Sequence, residues 1–484
     1  MLLRKFCLIL LLLPLASAFV FPQTAGLVDD RNMATNDGTA NSTDFYFDLL
    51  NPSLAGNSVV IGYTYASTTA AVTISDNESN TWTKTTTCND GTHSYDTAYV
   101  IGATVGTLRI HFHLSAAVGD FQAHATQLSN VTGVDGSSCT AGQTGPSIVA
   151  GSITATQTND LFFAYAADGA GFCCTNIVTS FVPGTSFNLL PNDRRQGTVA
   201  ELRLYGSTGA LNPSMTINQA SHDTFGMVGV AFKSGASGTV PSGIWDYCSG
   251  EDHPNATAYV MQAPCPAPVP INLIVAPTND APTYNVFTAP TDSDSNSYSG
   301  VTVSGLYPYI FYAQNATFGS SNSRTMTWHN ANSSTEAVEY DAIGGADTSA
   351  FDGSAQNTGS QSAVSGASCT NSSAVNSTIT ITPSTNRAGI AFAVEGNGTG
   401  PECNTSGTNT VYDEMWYSGE TDNDTPNYTA SGYGHLTYTT NSPQTLTWNW
   451  ANNTESGWNN TIAAFKAGPG PSPPTGLVGN ASAK

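Results

Sequence analysis

Apolar and polar residues alternate with a period of two along much of this 484-residue chain. The clearest runs are Val59–Tyr65, Thr107–His113, Ala200–Tyr205 and Ser377–Thr382, all rich in Val, Thr, Leu, Ile or Tyr. Such alternation is typical of antiparallel strands with one buried face. Clusters of Gly, Asn, Asp and Ser between the runs indicate turns, and helical periodicity is almost absent. The sequence therefore predicts an all-β fold of sandwich or jelly-roll type.

Three short segments of the first half recur, in the same order, in the second half. The matched pairs are residues 76–83 and 292–299, 136–140 and 366–370, and 230–235 and 463–468. This repeat predicts two copies of one module, each of about 200 residues and long enough to bury its own core. We expect two tandem jelly-roll-like antiparallel β-sandwich domains joined by a disulfide-stapled linker.

Composition and local signals divide the chain into six segments. They are a signal peptide at residues 1–18, an N-terminal arm at 19–24, a first domain at 25–236, a linker at 237–268, a second domain at 269–468 and a C-terminal tail at 469–484. The signal peptide is indicated by Arg4 and Lys5, an apolar run that ends at Leu15, and the small residues 16–18. We expect a secreted protein, in the extracellular space or in a cell-surface fibre.

Charge and hydropathy exclude two classes of partner. The chain has 35 acidic residues against 13 Lys and Arg, for a formal net charge of -22, and such a surface repels the phosphates of nucleic acid. After the signal peptide, no stretch has the roughly 20 apolar residues that a membrane-spanning helix needs. We therefore expect neither nucleic-acid binding nor membrane insertion.

The cysteines predict disulfide bonds. Once Cys7 is removed with the signal peptide, eight of the nine cysteines remain, and an even number is typical of an exported chain held by disulfides. Matching the two copies predicts that Cys369 bonds to Cys403 and that Cys139 bonds to one of Cys173 or Cys174. Because adjacent cysteines bond to each other only in a strained ring, the other of those two is expected to bond to Cys88, which leaves Cys248 with Cys265.

The repeated acidic motif lies between strands in both copies. Asp and Asn side chains can bond to the neighbouring backbone and close a turn, while Trp82 or Tyr298 packs inward. Asp292, Asp294 and Asn296 also offer oxygen ligands at a spacing that calcium accepts, although the final Glu of an EF-hand is missing. The motif predicts a structural turn, with a calcium site as the alternative and no other cofactor.

His111, His113 and His124 are close enough in sequence to suggest a metal site. The alternation with Ile110 and Phe112, however, places the first two histidines on the outer face of their strand. A solvated strand face is the simpler interpretation, with metal binding as the alternative.

Trp448 and Trp450 share one face of a predicted strand. Leu446, on the same face, has the character of a core residue, so Trp448 is predicted to be buried as well. Trp450 is then the candidate for a flat, exposed surface that stacks on a sugar ring. Core packing and carbohydrate contact remain the two interpretations of Trp450.

Signatures of nucleophilic catalysis are absent from the sequence, since it has no Gly-x-Ser-x-Gly elbow and no cysteine is left unpaired. Adjacent carboxylates occur at residues 29–30, 251–252 and 413–414, and none lies in an apolar stretch that would raise one pKa for acid catalysis. We therefore expect no catalytic residues.

Fifteen Asn-x-Ser/Thr sequons occur, and twelve of them follow Gly250. Fourteen of them lie before the C-terminal tail and are candidate glycosylation sites: Asn41, Asn77, Asn130, Asn255, Asn315, Asn332, Asn371, Asn376, Asn397, Asn404, Asn423, Asn427, Asn452 and Asn459. Glycans at these positions would cover mainly the second module.

The N-terminal arm carries an apolar patch formed by Phe19, Val20 and Phe21. An apolar arm in water either folds back on its own module or inserts into a groove or sheet edge of the next subunit. Insertion of one subunit into the next does not close and therefore generates fibres.

Residues 54–60, the turn at 76–82, residues 159–163 and the closing 230–232 resemble the jelly-roll-like β-sandwich modules that recur, in tandem, in proteins of microbial surfaces. The two-module layout also resembles the subunits of secreted extracellular fibrils. That resemblance implies a non-enzymatic structural protein that polymerises with copies of itself. A carbohydrate-binding adhesin that uses Trp450 is the alternative, and a polysaccharide hydrolase is the third hypothesis.

Overall fold

The computed structural model describes residues 24–169, 178–194, 196–221, 223–236, 238–252, 258–280, 287–303, 306–319, 322–330, 336–359, 375–398, 410–417, 430–450 and 458–469. The predicted signal peptide, the apolar arm and residues 470–484 of the tail lie outside these ranges. Every named element is a β-strand, which confirms the all-β prediction. No helix in the described part of the chain is both long and apolar enough to cross a membrane.

The described residues of the first half of the chain form seventeen strands. They are β1 (Gly26–Asp48), β2 (Ser58–Tyr65), β3 (Val72–Asp76), β4 (Thr83–Lys84), β5 (Cys88–Asn89), β6 (Ser94–Val100), β7 (Arg109–Ser129), β8 (Val131–Gln143), β9 (Ser147–Val149), β10 (Ile153–Ala155), β11 (Asp160–Asp168), β12 (Ser180–Pro183), β13 (Asn188–Asp193), β14 (Thr198–Tyr205), β15 (Gly209–Leu211), β16 (Ser214–Asn218) and β17 (Phe225–Ser234).

The second half contributes fifteen more in the part that the structure describes. They are β18 (Trp245–Asp252), β19 (Ala258–Gln262), β20 (Ile271–Asp280), β21 (Phe287–Asp292), β22 (Ser299–Val303), β23 (Leu306–Gln314), β24 (Thr325–Asn330), β25 (Glu336–Gly344), β26 (Ala346–Gly359), β27 (Val375–Ile381), β28 (Gly389–Gly398), β29 (Thr410–Tyr417), β30 (Ala430–Tyr438), β31 (Gln444–Trp450) and β32 (Trp458–Ala467).

The two halves repeat the same strand order. In the first half a five-stranded sheet runs β13-β14-β11-β17-β8, and in the second half its counterpart runs β29-β30-β28-β32-β26. A second set of strands also matches: the order β1-β7-β2-β6 in the first half corresponds to the order β18-β25-β20-β23 in the second half. The repeated sequence segments lie at matching places, since Phe232 of β17 pairs with Leu161 and Phe465 of β32 pairs with Ile390. We call the two halves module 1 and module 2.

One twelve-stranded sheet runs through both modules, in the order β22-β23-β20-β25-β18-β1-β7-β2-β6-β4 with β3 and β5 attached at the side. The modules join where β1 pairs with β18 in parallel, Asp30 opposite Cys248 and Arg31 opposite Ser249. All other strand pairs of the described residues are antiparallel. The two modules therefore share hydrogen-bonded backbone.

The segment 237–268, predicted to be a linker, supplies β18 and β19. All eight residues of β18 are buried. A strand that is buried on both faces does not show polar and apolar alternation, and this is why the periodicity lapses there. The predicted Cys248–Cys265 bond is present and joins β18 to the chain that follows β19.

The five-stranded sheets cover opposite faces of the shared sheet near the join. Neighbouring residues of a strand point to opposite faces of the sheet. On one face, Asn32 Nδ2 of β1 donates to Thr198 Oγ1 of the module 1 sheet at 3.3 Å. On the other face, Tyr433 of the module 2 sheet donates to Asp341 Oδ2 at 2.8 Å. Module 1 packs Val60 against Phe163 and Val230, and module 2 packs a matching core.

Candidate functional site

Each module has one edge strand near the join and one far from it. In the five-stranded sheets, the edge strands β13 and β29 contact the join, β13 against β1 and β18 and β29 against β1 and β25. The opposite edges are β8, which contacts β5 and β6, and β26, which contacts β23. The strands β8 and β26 therefore lie at the two outer ends of the molecule, and we call them the outer edge strands.

The outer edge strands are long. β8 has 13 residues and β26 has 14, and in the described part of the chain each pairs with a single strand, β17 or β32. Most of β8 is half-buried, and residues 354–358 of β26 are mainly exposed. An edge of this length presents a row of backbone groups on which another strand can pair.

The edge at β8 is fastened to the shared sheet by a disulfide between Cys88 and Cys139. Thr86 adds to this contact with a 2.8 Å hydrogen bond between its hydroxyl and that of Ser137. The prediction that Cys139 bonds to Cys173 or Cys174 is wrong, because β5 lies against β8 and brings Cys88 to Cys139. Cys173, Cys174, Cys369 and Cys403 lie outside the described residues.

The described chain begins beside the turn that joins β7 to β8. Ala25 donates its N–H to Ser234 Oγ at 3.0 Å, and Asn130 Nδ2 donates to the carbonyl of Thr24 at 3.1 Å. Asn130 forms the turn between β7 and β8, and Ser234 ends β17. The arm that carries Phe19, Val20 and Phe21 therefore precedes β1, the strand of module 1 that pairs with β18 at the join.

The repeated acidic motif forms the same turn in both modules. Asp76 Oδ1 accepts the N–H groups of Glu78 and Asn80, and its Oδ2 accepts Trp82 Nε1 at 2.8 Å. The residue between them, Ser79, has a φ of 58°. These bonds confirm the structural turn.

In module 2, Asp292 accepts the N–H groups of Asp294 and Asn296, and the Tyr298 hydroxyl at 2.7 Å. Arg324 is added here, with Nη2 2.9 Å from Asp292 Oδ2 and Nε 2.8 Å from Asp294 Oδ2. A buried guanidinium on both carboxylates repels a second cation. The geometry therefore argues against calcium at Asp292, Asp294 and Asn296.

A group of charged side chains lies on β1, β18 and β25 at the join. We call it the buried junction, and its members are Asp29, Arg31, Asp246, Glu339 and Asp341, each at most 1 % exposed. Polar partners surround it: Gln127 Nε2 donates to Asp29 Oδ2 at 2.8 Å, Asn51 Nδ2 donates to the carbonyl of Asp246 at 2.6 Å, and Ser249 Oγ donates to Glu339 Oε1 at 2.5 Å.

Burial raises the pKa of Asp29, Asp246 and Asp341 well above the ordinary value. The negative charges of neighbouring acids, Glu339 and Asp29 for Asp246 and Asp246 for Asp341, raise the pKa of these two carboxyls further. The expectation that no carboxylate of the 29–30 pair lies in an environment that raises its pKa is therefore wrong. These groups are out of contact with solvent and lie on strands of both modules, so the network joins the modules.

His111 and His113 lie on the outer face of β7, as predicted, and the alternating residues Ile110 and Phe112 are fully buried. His124 does not join them. Its side chain is buried, with Nε2 2.9 Å from Asp30 Oδ1. The group closest to the two outer histidines is Asp44, whose Oδ1 lies 2.8 Å from a ring nitrogen of each.

The tryptophan prediction holds for the described side chains. Trp448 and Leu446 are fully buried, and β31 pairs with β27 so that Trp450 lies opposite Val375. The side chain of Trp450 lies outside the described residues, so its role as a carbohydrate contact stays a prediction.

Four candidate glycosylation sites have described side chains. Asn77 and Asn315 are exposed and Asn459 is half-buried, but Asn130 is 6 % exposed and its Nδ2 donates to Thr24. Since the glycan is attached to that nitrogen, the folded protein offers no acceptor at Asn130. The side chains of Asn41, Asn255, Asn332, Asn371, Asn376, Asn397, Asn404, Asn423, Asn427 and Asn452 lie outside the described residues.

Sequence reasoning missed Asp44 and most of the buried junction. Asp44 lies in a stretch rich in Ser, Thr and Asn that has no clear alternation. Asp246, Glu339 and Asp341 each lie between two apolar or aromatic residues along the chain. That local context is the signal in the sequence that indicates their burial.

Two comparisons with known proteins gave no relative. No protein-family model matches the chain, and no curated protein matches it.

Proposed function

We propose that this protein is a secreted, non-enzymatic structural subunit of an extracellular fibre, built from two jelly-roll-like modules fused through a shared sheet. The observation that carries the proposal is the position of β8 and β26 at opposite ends of one body. A subunit with a strand-accepting edge on module 2 and an arm on module 1 adds to its neighbour head to tail, and such contacts form an open polymer.

The arm of one subunit adds to β26 of the next. Five residues, 19–23, span about 17 Å when extended, which is the length of an ordinary strand. At β8 the Cys88–Cys139 bond and Thr86 already cover part of the edge, so β26 is the better acceptor. Backbone hydrogen bonds supply strength in this mode of recognition, and pockets for alternate side chains supply specificity.

Aromatic rings next to β26 suit an apolar arm. Phe351 of β26 is half-buried and stacks on Tyr312 with ring centroids 5.0 Å apart, and Phe465 lies edge-on to Tyr312 at 5.3 Å. Phe19 and Phe21 of an incoming strand point to the same side. Rings packed against this cluster would remove two exposed aromatic side chains from water.

Rigidity at the join supports the same role. The parallel pairing of β1 with β18 and the buried junction hold both modules in one sheet, so force applied at one end passes through backbone hydrogen bonds. A subunit joined by a flexible linker would give a fibre without a fixed repeat.

The test is electron microscopy of the signal-cleaved protein at increasing concentration, with and without residues 19–23. We expect fibres from the full mature chain and a folded monomer from the truncated chain. Monomers from both would contradict the polymer proposal and make glycan binding, tested with Trp450→Ala, the next candidate. Fibres from both would contradict the role of the arm.

A pair of variants separates the two ends. Ser354→Lys with Gln356→Lys places charge on exposed positions of β26, and lysine on an edge blocks strand addition. Thr132→Lys does the same at an exposed position of β8 and is the matched control. We expect loss of fibres in the first variant and normal fibres in the control, and the reverse pattern would assign the acceptor to β8.

A further inference from the structure

Two strands of the shared sheet bring together one carboxylate and two imidazoles on the surface of module 1. Asp44 of β1 lies directly opposite His113 of β7, and His111 follows two residues away on the same face. Asp44 Oδ1 is 2.8 Å from His111 Nε2 and 2.8 Å from His113 Nδ1. The three ligand atoms lie within 4.8 Å of one another.

We propose that Asp44, His111 and His113 form a binding site for a divalent transition-metal ion of the zinc or copper type. Two nitrogens and one carboxylate oxygen are the ligand set that such ions accept, whereas calcium and magnesium prefer oxygen alone. Around a tetrahedral zinc ion, ligand atoms lie about 3.3 Å apart. The two contacts of Asp44 Oδ1, at 2.8 Å each, therefore lengthen by about half an ångström when an ion enters.

The neighbouring residues hold the ligands in place. Thr43 Oγ1 donates to Asp44 Oδ2 at 2.6 Å, which leaves Oδ1 directed at the imidazoles, and the Tyr46 ring stacks on His111 at a centroid distance of 4.3 Å. Such outer contacts orient metal ligands and are part of a built site. The pKa of Asp44 is lowered to about 2, first by the Thr43 hydrogen bond and then by the two histidines.

The site is open to solvent. The exposed fractions of the side chains are 38 % for Asp44, 28 % for His111 and 54 % for His113. Three protein ligands leave at least one coordination position for water or another exchangeable ligand. An ion held there is therefore able to exchange with the medium and to bind a small external ligand.

Module 2 contains the matching position without the site. The turn residues Asp76 and Asp292 pair with Ile110 and Met326, respectively. Counting along β24 from Met326, Thr327 corresponds to His111 and His329 corresponds to His113. Ala258 lies opposite His329 and so corresponds to Asp44. We therefore expect one metal ion per chain, not two.

Calorimetry with Zn²⁺ and electron paramagnetic resonance with Cu²⁺, on the metal-stripped full chain, test the proposal. We expect one bound ion per chain and a Cu²⁺ spectrum with coupling to two nitrogens. His113→Ala and Asp44→Asn should each weaken binding by at least tenfold, since even the loss of an outer-shell contact costs about that much. His329→Ala is the matched control and should bind as the unmodified chain does.

A gain-of-site variant gives the sharpest result. Ala258→Asp with Thr327→His completes the second set around His329, and the stoichiometry should rise from one ion to two. Affinity at both sites should fall with decreasing pH, because ligating imidazoles must be neutral. Absence of binding below millimolar concentration, or binding that neither His113→Ala nor Asp44→Asn changes, would show a hydrogen-bonded surface cluster only and overturn the proposal.

Discussion

A glutamate buried in the module 1 sheet should make the stability of this protein depend on pH. Glu201 lies on β14, between Ala164 of β11 and Leu189 of β13. Its side chain is fully buried, and Oε2 accepts the N–H of Gly184 at 2.8 Å. Burial raises its pKa from 4.5 to about 8.

The sign follows from where the proton is bound. Below pH 4.5 Glu201 is protonated in both the folded and the unfolded chain, so it does not change the free energy of unfolding with pH. Between 4.5 and about 8 the folded chain keeps the proton and the unfolded chain loses it. Stability therefore falls as pH rises, by about 1.4 kcal/mol for each pH unit in this window.

Glu201→Gln removes the ionisable group and keeps an oxygen that accepts the Gly184 N–H. At pH 4.5 the variant and the unmodified chain should have nearly equal stability. At pH 7.5, three pH units higher, the variant should be more stable by about 4 kcal/mol. The measurement is urea unfolding of both chains at the two pH values, with disulfides intact.

The difference between variant and unmodified chain cancels the contributions of all other titrating groups. If the stability gain of Glu201→Gln were the same at both pH values, the pKa of the buried glutamate would not be raised and the reasoning would fail.

Two further predictions concern stability. In the loop-entropy model, loss of the Cys88–Cys139 bond, which closes 51 residues, should lower the free energy of unfolding by about 4 kcal/mol, and loss of the Cys248–Cys265 bond, which closes 17, should lower it by about 3 kcal/mol. Denaturant titrations of variants with both cysteines of a bond replaced by serine measure the two losses. Equal losses, or a larger loss for Cys248–Cys265, would contradict the model. Asp76→Ala removes the acceptor of four hydrogen bonds and should lower the free energy of unfolding by about 2 to 4 kcal/mol, at roughly 1 kcal/mol for each bond. Trp82 fluorescence reports the local change. An unchanged unfolding midpoint would show that the turn does not depend on this carboxylate.

Local features of this protein could be predicted from the sequence because their partners lie close along the chain. The Asp76 turn uses hydrogen bonds that span two to six residues, and the spacing of Asp, Asn and Trp already indicates it. Alternation placed Ile110 and Phe112 inside and His111 outside. The burial of Trp448 followed from Leu446 in the same way.

Alternation tells which face of a strand is buried, but not which strand lies beside it. The sequence suggests His124 as the third member of a group with His111 and His113, because it is near them along the chain. The third member is instead Asp44, which is 67 residues from His111 and reaches it through the pairing of β1 with β7. The Cys88 partner was misassigned for the same reason, since the packing of β5 against β8 decides it.

The sequence alone determined that the chain is made of strands, that one module occurs twice, and where its turns lie, because these depend on residues within a few positions of each other. Only the tertiary structure decided that β18 enters the centre of a shared sheet, that the acids beside it are buried together, and that β8 and β26 lie at opposite ends. Those features depend on backbone pairing between residues separated by hundreds of positions, such as Asp30 and Cys248, and no local pattern of side chains specifies that choice of neighbour.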